Sequence, residues 1–276
     1  MPTRSLAPLA VWFLVVGSAF LDSSRAANPV SMETAWEQAE VNLFNEAHTA
    51  FKKLKGQRGV DERERGFGEA VTLLNVQPRT PGNITRAEKM FAALAEEDDL
   101  YGYLASYYLA RIWEDYTSPP QIDRAKVAYR ELLKKNTGNP LVEGSAVRLA
   151  LIEEASERDP AKRQEVLLAA RSLAENLQTR EGRRDFHLNL GLALVKAGDL
   201  SAGLEELLAA DAEGITSPLS ERGAWITIAE AARLSGKKEI AAEYYRKFLK
   251  KYERDVRSHT LAEHLAEIEA SESPAP

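Results

Sequence analysis

Ala224-Trp225-Ile226-Thr227-Ile228-Ala229-Glu230-Ala231-Ala232-Arg233-Leu234-Ser235-Gly236, running on through Lys237 to Tyr252, decides the fold class of this chain. Trp225, Ile228, Ala229 and Ala232 fall on one stripe of a helix, and Gly236 ends it. Ala241, Tyr245 and Phe248 then recur at helical spacing on a second helix. Small residues stand where the two helices cross and large ones where neighbouring pairs stack. Such a hairpin cannot bury its apolar face alone, so it implies an array.

Working outward, the same frame returns. Leu190-Gly191 and Leu194 mark a first helix, Gly198-Asp199 a turn, and Gly203, Leu207 and Ala210 a second helix. Further upstream, Ile84-Thr85-Arg86-Ala87-Glu88-Lys89-Met90-Phe91 and Ile122-Asp123-Arg124-Ala125-Lys126-Val127-Ala128-Tyr129 align without gaps. Each carries a capping-type residue (Thr85, Asp123), a small residue (Ala87, Ala125) and an aromatic four positions on (Phe91, Tyr129).

The spacing Trp225, Ile228, Ala229, Ala232, Gly236, Ala241, Tyr245, Phe248 resembles the tetratricopeptide repeat, a pattern of roughly 34 residues. The resemblance is carried by residues 83–135 and 184–252. It implies an all-α, right-handed superhelical solenoid of antiparallel helix pairs, here about five or six hairpins. His187 stands where the family prefers Trp, so that interface is expected to be looser. Before residue 80, polar stretches such as Gln57 to Arg65 break the frame.

The spacing predicts helices near 34–55, 65–76, 84–96, 100–116, 121–135, 141–156, 161–177, 184–196, 200–211, 219–234, 238–251 and 256–270, separated by Pro- and Gly-marked junctions. The expected organisation is a signal peptide at 1–26, degenerate N-terminal repeats at 27–82, the repeat array at 83–254, a capping helix at 255–270 and a disordered tail at 271–276.

Residues 1–26 follow a different logic. Arg4 supplies a thin positive region, Leu6 to Leu21 is almost entirely apolar, and Ser24-Arg25-Ala26 places small residues at the two positions a signal peptidase reads. The apolar run of 16 residues contains Pro8 and is short of the roughly 20 that a spanning helix needs. The expectation is export, with cleavage after Ala26 and no stable membrane insertion afterwards; the competing reading is an uncleaved anchor. Periplasmic residence follows from that expectation.

The 276 residues are 44% hydrophobic and 28% charged, enough to bury a continuous core. There is no cysteine, which excludes disulfides, thiolate chemistry and lipid attachment at a cleavage-site cysteine. The formal net charge is −6, and −7 without residues 1–26, a balance that argues against a nucleic-acid partner because phosphate binding needs a basic face. The basic clusters Lys52-Lys53-Lys55, Lys134-Lys135 and Lys247-Lys250-Lys251 lie at the ends of second helices, where cations complement the helix dipole.

Catalytic signatures are absent from the sequence: no His-Glu-x-x-His, no Gly-rich phosphate loop and no nucleophile elbow. His259 and His264, five apart on a helix, turn away from each other and so do not chelate. The acid run Glu96-Glu97-Asp98-Asp99 reads as a solvated helix end. Asn83-Ile84-Thr85 matches a glycosylation acceptor, yet the same residues are needed to start a helix. The expectation is therefore a protein that is not an enzyme and needs neither a metal nor a cofactor.

In the resembled family the exposed face of each first helix lines a groove. Carrying those offsets over gives Tyr107, Arg111 and Glu114, then Leu188, Leu192 and Lys196, then Ile226, Glu230 and Arg233. Leu104, Tyr108 and Ile112 fall on a different stripe, which reads as core. The mix of aromatic, aliphatic and charged groups suits a protein or peptide partner. The expected function is a scaffold for envelope protein assembly or quality control. The alternative is a helical spacer that binds glycan or recruits a hydrolase for a cell-wall enzyme.

Overall fold

The computed structural model describes residues 30–135 and 137–272; the expected signal peptide and the final residues of the expected tail lie outside the described residues. Among the described residues there are thirteen α-helices and no strand. They divide into two compact units that meet in sequence at Ser118 and Pro119, inside the stretch expected to form one array.

The first unit contains α1 (Met32–Glu40), α2 (Phe44–Lys53), α3 (Glu62–Asn75), α4 (Pro81–Leu94) and α5 (Leu100–Asp115). Each helix packs on the next, and α3 also touches α1 and α5, so the odd-numbered helices form a row. The single helix expected at 34–55 is two helices. Asn42 adopts a left-handed φ of 63°, the Leu43 N–H reaches the Gln38 carbonyl (2.8 Å) and the Asn42 N–H that of Ala39 (3.0 Å). That double bond closes a helix and turns the chain back. The spacing concealed it because Asn, which tolerates this conformation, stands where glycine is the usual signal.

The core of this unit is aromatic. Trp36 meets Phe51 edge-on at 5.0 Å, Phe67 meets Tyr108 edge-on at 5.6 Å, and Phe91 stacks on Tyr108 at 5.1 Å. Phe51, Phe67 and Phe91 are buried, as are Leu104 and Ile112, on the stripe the spacing assigned to the core. The expected cap Thr85 is not the cap of α4. Thr80 accepts the Asn83 N–H (3.1 Å) and Pro81 opens the helix, so α4 starts three residues earlier than its repeat pattern predicts.

The second unit contains α6 (Ile122–Lys135), α7 (Pro140–Ser156), α8 (Pro160–Ala170), α9 (Arg180–Lys196), α10 (Leu200–Glu213), α11 (Pro218–Leu234), α12 (Lys238–Lys251) and α13 (Ser258–Glu272). α8 tightens into a 3-10 turn over Arg171–Asn176, so the helix expected at 161–177 is continuous only to Ala170. α13 takes in Ser271 and Glu272, which were expected in the tail.

Consecutive helices again pack as pairs, and α9 lies against both α7 and α11. Gly198 and Gly236 close α9 and α11 with positive φ and the same double carbonyl bonds that Asn42 uses. The positions singled out from sequence, Ala125, Tyr129, Leu207, Ala210, Ile228, Ala229, Ala232, Ala241, Tyr245 and Phe248, are all buried. The last turns of α2, α6 and α12 hold Lys52 and Lys53, Lys134 and Lys135, and Lys250 and Lys251, where the dipole favours them.

Candidate functional site

The expected groove residues belong to two units, three to the first and six to the second. In the first, Tyr107 is not a groove wall: it is 6% exposed. On a helix as apolar as α5, the stripe next to the core stripe is drawn in as well, which sequence spacing alone does not register. Arg111 is half-buried and donates to Asp115 one turn on (2.8 and 3.0 Å), and Glu114 is half-buried.

In the second unit the structure brings the α9 and α11 sets side by side. Leu188 and Ile226 are half-buried and pack against one apolar cluster. Leu192 is 39% exposed and Lys196 is exposed. Glu230 and Arg233 are half-exposed and paired with each other at 2.7 Å. What remains open on α9 is an aliphatic side chain one turn before a lysine.

Several polar groups that organise these faces were not visible to repeat spacing. Asp211 on α10 accepts the Trp225 indole N–H (2.7 Å), the Tyr244 hydroxyl (2.8 Å) and the Lys247 ammonium (2.6 Å). Lys247 also lies over the Trp225 ring at 4.5 Å. Burial pushes the Asp211 carboxyl up, but these three donors outweigh it and hold it below the usual range. Trp36 and Trp113 likewise donate to Glu64 (3.0 Å) and Glu88 (2.9 Å). An acid on a neighbouring helix that accepts the indole N–H of a buried (Trp225) or half-buried (Trp36, Trp113) Trp is the common device.

His187 was expected to loosen its interface. It instead faces Glu206, buried on α10, at 2.7 Å, and Arg171 reaches the same carboxylate at 2.7 Å. A polar contact replaces the missing indole. Glu143, buried on α7, accepts the Gln178 N–H (2.8 Å), the Thr179 N–H (3.2 Å) and the Thr179 hydroxyl, so a carboxylate from another helix caps the start of α9.

His259 and His264 do not converge: His259 is exposed near Glu263, while the His264 Nδ1 bonds Glu230 at 2.8 Å. Among the described residues, no group of three or more His, Asp or Glu side chains is arranged to hold a metal. Nor, among them, is any helix long and apolar enough to cross a membrane.

Paired helices, the close α9–α10 crossing at Gly191 and Gly203, glycine closing α9 and α11, and a row of first helices in each unit define the architecture. The fold is a tetratricopeptide-like helical repeat. No family description and no curated protein matches the chain. Solved structures align with it in part, two of them as follows. The crystal structure of the APC/C hetero-tetramer Cut9-Hcn1 aligns at 15% identity over 86% of this chain, which spans 42% of that one, with a TM-score of 0.49. PilF of Pseudomonas aeruginosa aligns at 12% identity over 84% of this chain and 95% of its own, with a TM-score of 0.48. The assignment of the fold rests on the helices themselves.

Proposed function

We propose that this protein is an exported, non-catalytic scaffold that holds a protein or peptide segment against the first-helix face of its second unit, in envelope protein assembly or quality control. The observation that supports it is Leu192. On a helix whose other large apolar side chains are buried or half-buried, it stands 39% exposed one turn before Lys196, and that helix packs against the one that carries the Glu230–Arg233 pair. An exposed aliphatic side chain with charged groups on the same and the adjoining helix is the composition of a binding face. Export is supported by the apolar Leu6 to Leu21 run and by Ser24-Arg25-Ala26.

The test is crosslinking and capture from the native envelope fraction, run in parallel with Leu192→Asp. A partner that is retained by the parent and lost by the variant supports the reading. Equal capture by both sinks it. Amino-terminal sequencing that finds Ala27 first, on protein freed by osmotic release, supports export; a full-length chain that stays with membranes after high-salt washing defeats it.

A further inference from the structure

α13 is held by few apolar contacts. Of its 15 residues, Leu261 and Ile268 are buried and Leu265 is half-buried against the α11–α12 cluster, while Ala262, Glu263, Ala266 and Glu267 face solvent. Two of its polar ties, Arg246 to Glu269 (2.7 Å) and Lys238 to Ser271 (2.9 Å), are exposed and contribute little.

His264 is different. Its Nδ1 bonds Glu230 Oε1 at 2.8 Å, and the Tyr245 hydroxyl donates to the same oxygen at 2.5 Å. The other oxygen takes Arg233 through Nη2 (2.7 Å) and Nε (3.1 Å). One carboxylate thus gathers donors from α11, α12 and α13, and its acceptor sites are filled. Tyr245 is fully buried and Arg233 is one turn away on the same helix, so neither has far to go. The Glu230 side chain itself is 28% exposed, within reach of a partner.

We propose that α13 is a displaceable terminal helix whose docking Glu230 controls: a cationic group of a partner that reaches Glu230 takes an acceptor site from His264 and frees α13. This rests on the reading of the exposed α11 face as a partner surface. Release uncovers Tyr245, whose ring now lies 6.0 Å from that of His264. Because coupling is reciprocal, loosening α13 by substitution strengthens the hold on a cation.

Amide hydrogen exchange on the full chain tests this, with tri-arginine peptide as the probe and sodium chloride at equal ionic strength as the screening control. The parent is expected to show a saturable rise of at least about fivefold in exchange across residues 258–272, with α9 and α10 unchanged. His264→Ala is expected to start from the fast rate and respond no further, and Glu230→Gln to lose the response. No response in the parent, or the same response in Glu230→Gln, overturns the proposal. Failure of the scaffold reading shows separately, as partner capture that ignores Leu192→Asp while α13 still answers to tri-arginine.

Discussion

Gly191 on α9 and Gly203 on α10 face each other across a helix crossing with no room for a side chain. A Cβ on Gly191 would lie 2.8 Å from Leu207 Cγ and 3.0 Å from the Gly203 carbonyl oxygen. One on Gly203 would lie 2.9 Å from the Gly191 carbonyl oxygen and 2.6 Å from Val195 Cγ2. Leu190 and Leu194 on α9 and Leu204 and Leu207 on α10 are all buried.

Widening that crossing is expected to be costly. Gly191→Ala and Gly203→Ala should each destabilise by about 1–3 kcal/mol through overpacking, and Gly191→Leu by more. Gly223, helical with nothing within 4 Å of a built Cβ, is the control. Gly223→Ala should be neutral or stabilise by up to about 1 kcal/mol, because alanine loses less entropy in a helix. Urea midpoints at constant slope give all four values.

Glu143 and Gly182 should behave as one unit. A Cβ on Gly182 would collide with the Glu143 carboxylate, so Gly182→Ala forces the cap of α9 aside. Glu143→Ala strands the Gln178 and Thr179 N–H groups at a cost of about 1–3 kcal/mol. The double variant should cost less than the two singles added, by at least about 0.5 kcal/mol, since the side chain that clashes is already gone. Additive values in a double-mutant cycle refute the cap.

Acid should unfold the second unit through identifiable carboxylates. Asp255 is held well below the usual range, first by the Arg257 guanidinium and backbone and then by Arg222. Asp211 and Glu230 are also lowered, their donors outweighing a burial that by itself raises them. A carboxyl whose folded pKa is depressed contributes stability that is complete above its unfolded value, near 4, and is lost as pH falls toward the folded one. Stability should therefore hold from neutral pH down to about 5 and decline below about 4. Asp211→Asn and Asp255→Asn should lower the plateau and flatten the decline in denaturant midpoints measured against pH.

Trp225, 5% exposed, should behave as core: Trp225→Ala is expected to cost about 3–5 kcal/mol. Tyr107→Ala should likewise lower the melting midpoint, because Tyr107 is buried and not open to a partner. Leu192→Asp should do the reverse, leaving the midpoint within a degree or two and weakening partner binding by at least about 1 kcal/mol. Melts and binding isotherms on the same preparations separate the two classes.

The repeat was legible in the chain because its signals are local. Trp225, Ala229, Gly236, Ala241 and Phe248 stand at intervals set by 3.6 residues per turn, and a glycine that must adopt positive φ announces a turn wherever it occurs. Asn42 does the same work with a residue that has many other uses, so the break between α1 and α2 could be found only in the folded chain. The fate of the groove positions was decided by what packs against them. Tyr107 was drawn into the core, Leu192 was left out, and Glu230 was engaged by Tyr245 and His264 from two other helices. Glu143 and Asp211 find their partners 35 or 36 residues and 14 to 36 residues away. Periodicity records which face of its own helix a residue occupies. Which donor or ring it meets depends on how separate helices come together, and that is settled only when the tertiary structure forms.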